Sequence, residues 1–151
     1  MVDSKKYYEI ITTMKVETSA RLVCWSSDRG QLVAMTRSDS GSVKFFGGRV
    51  KPTEDPMDAV VREAREEGGI DLAKYNSNFV VLPYQSNDPE RPSFWFGVGM
   101  PASKLLELEP RDDVAEILVT HISDVGSRLT YPLWKAHWEN QLLPVIQNLI
   151  R

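Results

Sequence analysis

The sequence predicts an α/β fold built as one domain over residues 1–151. Three observations predict it. Short runs rich in β-branched and aromatic residues recur along the chain. Two segments, one early and one late, repeat apolar residues at helical spacing, so strands alternate with helices rather than forming an all-β chain. At 151 residues there is room for one core that buries roughly two thirds of the unfolded surface, and no internal repeat, low-complexity tract or composition shift marks a second domain.

Taken in order, Tyr7 to Val16 reads as an opening strand, Ala20 to Trp25 as a second and Gln31 to Arg37 as a third, the last two joined through the turn signal Ser27-Asp28-Arg29-Gly30. Asp39-Ser40-Gly41 turns the chain again, and Val43 to Phe46 delivers it to Gly47-Gly48, where glycine permits a sharp turn and close approach to a ligand. After the first helix, Asn78 to Tyr84 and Ser93 to Met100 read as strands around the polar loop Gln85 to Pro92. Leu105 to Leu108 is a short helix and Val114 to Thr120 a final strand. Tyr131 to Arg151 spaces Leu133, Trp134, Trp138, Leu142, Val145 and Leu149 as an amphipathic helix, kinked or restarted at Pro144. Its apolar face packs on the sheet or, less commonly, forms a homodimer surface. Tyr131 and Trp134 are candidates for stacking on a nucleobase, although tryptophans on an apolar face usually belong to a core.

The stretch from Gly48 to Ile70 carries the chemistry. Asp55-Pro56 starts a helix, an N-cap acceptor followed by a residue with φ suited to the first turn, and Gly68-Gly69 stops it. Met57, Val60, Val61 and Ala64 give that helix an apolar stripe. Beside the stripe Glu63, Glu66 and Glu67 share one face, repelling each other by roughly 0.2–0.5 kcal/mol per i, i+4 pair. They also face the negative end of the helix dipole, a further cost of about 0.3–1 kcal/mol each. Most acidic runs are solvated surface, but a local rule broken twice marks a place where a cation is missing.

Gly48, Glu54, Arg62, Glu63, Glu66, Glu67 and Gly69, with Ala64 and Ile70 at the apolar positions, fit the pattern G-x5-E-x7-R-E-U-x-E-E-x-G-U. On this motif the chain resembles the Nudix hydrolases. The resemblance implies an α/β/α sandwich around a mixed sheet and hydrolysis of a pyrophosphate bond in a nucleoside diphosphate derivative: a nucleotide sugar such as ADP-ribose, a dinucleotide such as FAD or NADH, or a dinucleoside polyphosphate. Two other readings stand beside it, a pyrophosphohydrolase that clears (oxidised) nucleoside triphosphates and a non-catalytic nucleotide-binding module. The intact glutamates argue against the module, which has no reason to keep their repulsion. By the same resemblance Glu63, Glu66 and Glu67 are metal ligands, Glu63 and Glu67 foremost, and Gly48 and Gly69 shape the loop and helix end. Arg62 stands four residues before Glu66 and orients its carboxylate; Glu54 is a ligand through water or an anchor. A ligand set of carboxylates alone selects a hard divalent ion, Mg²⁺ or Mn²⁺.

The general base lies in the motif or among Glu107, Glu109, Asp112, Asp113 and Glu116. Glu116, which opens the last strand before an apolar triplet, is the first choice and Asp113 the second. Arg37, Lys44 and Arg49, with Lys51, are candidates for phosphate contacts, a solvated surface being the commoner fate of such cations. Pro83 and Tyr84 fall where some members of the family carry a substrate marker. A net charge of -3 and pI near 5.4 offer no footprint for a nucleic-acid polymer. No apolar stretch reaches membrane-spanning length and no signal peptide is visible, so the expected location is the cytoplasm. The lone Cys24, in an apolar run, is expected to be buried and inert, His137 structural, and a zinc site improbable with two histidines in the chain.

Overall fold

In the computed structural model, residues 18–28, 31–86 and 92–150 are described; the opening strand expected over Tyr7 to Val16 lies outside them. The strand β1, Ser19–Ser26, is the axis of the sheet. Leu22 and Cys24 face one layer and Val23 and Trp25 the other, all buried, which is how a strand covered on both faces reads in sequence. Burial pushes the Cys24 thiol well above its ordinary range, so the cysteine is inert as expected.

On one side β1 runs parallel to β6, Ser93–Met100, in a continuous register from Ser19 opposite Ser93 to Ser26 opposite Met100. Antiparallel β5, Phe79–Gln85, completes that edge. The other side is forked. The late half of β1 pairs with β2, Leu32–Ser38, whereas the early half pairs with β4, Phe46–Arg49. The two-residue strand β3, Val43–Lys44, fills the fork by pairing with β2, and β7, Val114–His121, closes the outer edge of β2. Val43 to Phe46, expected as one strand, thus breaks at Phe45, because there the chain leaves its pairing with β2 and takes up pairing with β1.

The first helix, α1, spans Pro56–Gly68. Asp55 caps it, its carboxylate accepting from Met57 N at 2.8 Å, and Gly69 ends it in the left-handed region at φ 65°, its N–H closing the last turn. The stripe is wider than the four expected residues: Ala59, Val60 and Ala64 are buried against Leu22, Phe46 and Phe96, with Met57 and Val61 packed at the margin. Across the sheet, Trp95, Phe45 and Trp138 form the second core, the Phe45 ring edge-on to Trp95 at 5.3 Å and tilted 5.6 Å from Trp138. One sheet between two helical layers is the α/β/α sandwich expected.

Between α1 and β5 a 3₁₀ segment, Leu72–Asn78, was not expected; Asp71 caps it by accepting from Ala73 N. The short helix α2 is Ala102–Leu106, three residues earlier than the expected Leu105 to Leu108, since Pro101 opens its first turn. A further turn, α3, Val125–Arg128, follows β7. The C-terminal helix is α4, Pro132–His137, then a π-helical turn, Trp138–Leu142, then α5, Leu143–Leu149. Pro144 has no N–H for the carbonyl four residues back and its ring crowds that carbonyl, so the ladder widens and Leu143 N–H reaches Trp138 O instead. Trp95 Nε1 donates to Gln85 Oε1, and Gln85 Nε2 to Leu133 O. His137 Nε2 donates to Pro83 O at 2.9 Å, and burial holds its imidazole below the ordinary value, so it is neutral and structural. Its folded-state pKa lies below that of the unfolded chain, so the stability it contributes is complete above about pH 6.5 and fades as pH falls. We expect His137→Gln to flatten the acid limb of the Tm–pH curve between pH 7 and 4; an unchanged limb would assign acid lability elsewhere.

Candidate functional site

The fork of the sheet and the last turns of α1 come together around one carboxylate. Glu67, on the buried side of α1, is 3% exposed and accepts a 2.7 Å hydrogen bond from Gly47 N–H. Gly47 has φ 139°, and a Cβ there would lie 2.2 Å from Ala20 O, so no other residue brings that N–H against the helix. Burial drives the Glu67 carboxyl from its ordinary 4.5 up to about 7, and the negative charges of Glu63 and Asp113 push the same way; the Gly47 N–H and the positive charge of Arg21 oppose them. Glu63 lies against the same glycine pair, its carboxylate 2.5 Å from where a Gly48 Cβ would stand. Glycine at 48 therefore provides room for Glu63, a role beyond the loop-shaping one expected of it.

Arg62 is the hub of the remaining acids. Its Nε and Nη2 grip the two oxygens of Glu54 at 2.8 and 2.9 Å, Nη1 meets Glu63 at 2.8 Å and Glu66 at 3.3 Å, and Nη2 also reaches Arg49 O. The expected link to Glu66 is thus the longest of its carboxylate contacts. Glu54 also accepts from Lys51 N, and its bond to Arg62 holds its carboxyl below the ordinary carboxylate value. That geometry fits the anchor, one of the two roles open to Glu54. Removing Arg62 leaves three carboxylates facing each other. We expect Arg62→Met to destabilise the fold by about 1–3 kcal/mol in urea denaturation, with Arg62→Lys recovering only a minor part because an ammonium does not bridge two carboxylates in one plane.

The other acids divide. The loop before β7 is tied to α1 by Arg111 N–H on Glu67 O at 2.9 Å, and Asp113 lies near enough to act on both Glu67 and Arg21. Glu116 faces the outer edge of the sheet, where it pairs with Arg37 at a half-exposed position. Arg37 and Glu116 thus occupy each other rather than the acid cluster. Lys44 sits in β3 beside Thr36, and Arg49 ends β4 at the surface. An open cleft of about 280 Å³ lies past the end of α1, lined by Gly69, Lys74, Tyr75, Met100 and Arg111 among others, and neither Glu63 nor Glu67 lines it.

Among the described residues, no three His, Cys, Asp or Glu side chains converge as a ready metal-binding group. The donor chemistry nevertheless fits a hard cation, since all donors are carboxylate oxygens and Glu67 is an acid whose proton affinity is raised first by burial and then by like charges. One participant was not read from sequence. Arg21, in β1, is half-buried, with Nε and Nη1 enclosed within the field of Glu67, and stacks on Trp134; the available signal was its place on the same strand face as Val23 and Trp25.

Comparison with known proteins agrees with this architecture. The chain is similar to MutT described for Aliivibrio salmonicida and Vibrio cholerae, at 20% identity over 89% of this chain and 96% of that one, TM-score 0.61. It is similar to an Ap4A hydrolase of C. elegans at 16% identity, 78% and 90% coverage, TM-score 0.57. It is also similar to a bifunctional NMN adenylyltransferase/ADP ribose pyrophosphatase of Francisella tularensis, in complex with AMP and a Mn ion, at 12% identity, TM-score 0.64. There it covers 97% of this chain and spans 47% of the longer protein. No curated protein matches. The NUDIX domain family model matches residues 17–141, and on that match the chain belongs to the NUDIX domain family.

Proposed function

We propose that the chain is a metal-dependent hydrolase that splits a pyrophosphate bond in a nucleoside diphosphate derivative. The observation that carries this reading is Glu67: a buried carboxylate, pinned by Gly47 N–H, beside Glu63 and within reach of the field of Asp113. Such a group is costly without a cation. Glu63, Glu66 and Glu67 would hold Mg²⁺ or Mn²⁺, Glu66 by turning from its 3.3 Å contact with Arg62. When bound, such an ion supplies charge neutralisation for the diphosphate and acidifies the water that attacks phosphorus. The chain's own part is to hold the acids: Gly47 fixes Glu67, and Arg62 fixes Glu63 through its 2.8 Å contact.

For the general base, the surroundings favour Asp113 over Glu116, because Asp113 acts on Glu67 whereas Glu116 is spent on Arg37. Asp113→Asn is expected to lower kcat by about 10²–10⁴-fold with metal affinity little changed, the usual worth of a positioned base. Glu116→Gln is expected to change it less than about threefold; the reverse order would return the role to Glu116.

The reading is tested by phosphate release through a coupled phosphatase from ADP-ribose, FAD, NADH, diadenosine polyphosphates, nucleotide sugars and (d)NTPs, with Mg²⁺ or Mn²⁺ and with chelator. Turnover that needs metal supports it and names the substrate class. Turnover confined to nucleoside triphosphates would favour the nucleotide-clearing reading. Tight nucleotide binding without turnover would favour the binding module.

A further inference from the structure

Arg21 lies between Ala20 and Leu22, which point into the α1 core, so its side chain leaves on the opposite face, beneath the C-terminal helix. There its guanidinium carbon stands 4.5 Å from the centroid of the Trp134 ring. Trp134 is itself met edge-on by Tyr131 at 5.4 Å and by Trp95 at 5.9 Å. The stem of Arg21 crosses Gly47, since a Cβ on that glycine would lie 2.8 Å from Arg21 Cδ. Gly47 is the residue whose N–H holds Glu67. One arginine therefore spans the distance between an aromatic group and the acid cluster.

It does so with two of its three nitrogens unmatched. Nε and Nη1 are both buried and have no partner, and Glu67, Glu63 and Asp113 act on the guanidinium through space only. Arg62, on α1, satisfies four carboxylate contacts and so gives the contrast. Three acids stand near Arg21 and none binds it. A buried charge left in this state is disfavoured in the free protein and is retained where a ligand completes it. The missing partner must bring several acceptor oxygens and negative charge, and a planar guanidinium steadied by an indole face is suited to phosphate.

We propose that Arg21 is the receptor for the phosphate that bears the nucleoside, held in place by Trp134, with the Tyr131–Trp134 side of the fold receiving the nucleoside itself. This rests on the diphosphate reading above and adds to it a direction. The phosphate farther from the nucleoside lies at the acid cluster, and the nucleoside-bearing phosphate lies toward Trp134. Arg21 also becomes a specificity residue, since a compound without an anion at that position gains nothing from it.

The test is binding in chelator, where no turnover is required and a failure of the hydrolase reading does not interfere. AMP, GMP, CMP and UMP, and the four matching nucleosides, are titrated into wild type, R21Q and R21M by calorimetry and tryptophan fluorescence. At least one monophosphate is expected to bind wild type, quenching tryptophan emission, and to bind R21Q at least about tenfold more weakly, as for a lost charge-assisted hydrogen bond. The matching nucleoside is expected to bind both proteins alike. Without ligand, R21M is expected to melt no lower than wild type, because an apolar side chain replaces a buried, unpaired charge. Equal monophosphate affinity in wild type and R21Q, including no binding to either, overturns the proposal. So does a parallel loss of nucleoside binding or a lower melting temperature in R21M, each of which would make Arg21 a structural residue.

Discussion

Glu67→Gln is expected to lower metal-dependent turnover by about 10²–10³-fold, the size seen when one charge-stabilising group is removed from a reacting site, while making the metal-free protein more stable at alkaline pH. The two effects have one origin. The carboxyl binds its proton at about 7 in the folded chain and near 4.5 when released from burial, so the folded form holds the extra proton between those values. Stability therefore falls as pH rises through this window, and the penalty of the charge is complete above pH 7 and absent below about 4.5. The shift corresponds to about 3 kcal/mol, and desolvation of the new amide offsets part of it, leaving a gain of about 1–2 kcal/mol for the variant. The glutamine oxygen still accepts from Gly47 N–H, so the fold has no other reason to change. Thermal melts in EDTA at pH 5 and pH 8.5 read the outcome. A variant as active as wild type, or one whose stability relative to wild type is the same at both pH values, would remove Glu67 from the centre of the site.

Gly47→Ala should be the most disruptive small substitution in the described chain. Its φ of 139° lies where a side chain is strained by about 1–3 kcal/mol. The new methyl group also meets Ala20 O at 2.2 Å and Arg21 Cα at 2.9 Å, which are backbone atoms that cannot rotate aside. Relief requires β4 to move away from β1, and Glu67 then loses its N–H donor. We expect a loss of more than about 3 kcal/mol, or about 6–12 °C in Tm for a chain of this size, together with loss of activity. Gly41→Ala supplies the control. Its φ is 87°, but nothing lies within 4 Å of the added methyl, so only backbone strain is expected there. If both variants melt together, strain alone accounts for Gly47 and the close packing around it is unimportant.

What could be read from the sequence was what is encoded locally. Asp55-Pro56 and Gly69 fixed α1 because a cap, a proline and a left-handed glycine act within one turn of themselves. The shared face of Glu63 and Glu67 followed from helical periodicity alone. By contrast, Leu72–Asn78 has no apolar period, and only the cap at Asp71 signals it. Pro144 announced a break, yet its form as a π-turn depends on Trp138 and Leu142 both being anchored in the second core. The site was least legible where it depends on contacts between distant strands. Glu116 was preferred for its position before an apolar triplet, and its pairing with Arg37 became visible only with the register of β2 against β7. Arg21 read as an ordinary strand cation until Trp134 was brought over it.

The parallel ladder between β1 and β6 also bears on how the protein folds. Ser19 Oγ bonds Ser93 Oγ across 74 residues of sequence, and every rung of the ladder closes a loop of that order. Such pairing forms late and slowly, because a long loop must close before any of its contacts contribute. During synthesis β1, apolar on both faces, has to wait for β6 to emerge, exposed meanwhile to chance association with other chains. Slower refolding and more inclusion-body formation on fast expression are therefore the expected counterpart of placing the strand that carries Arg21 at the centre of the sheet.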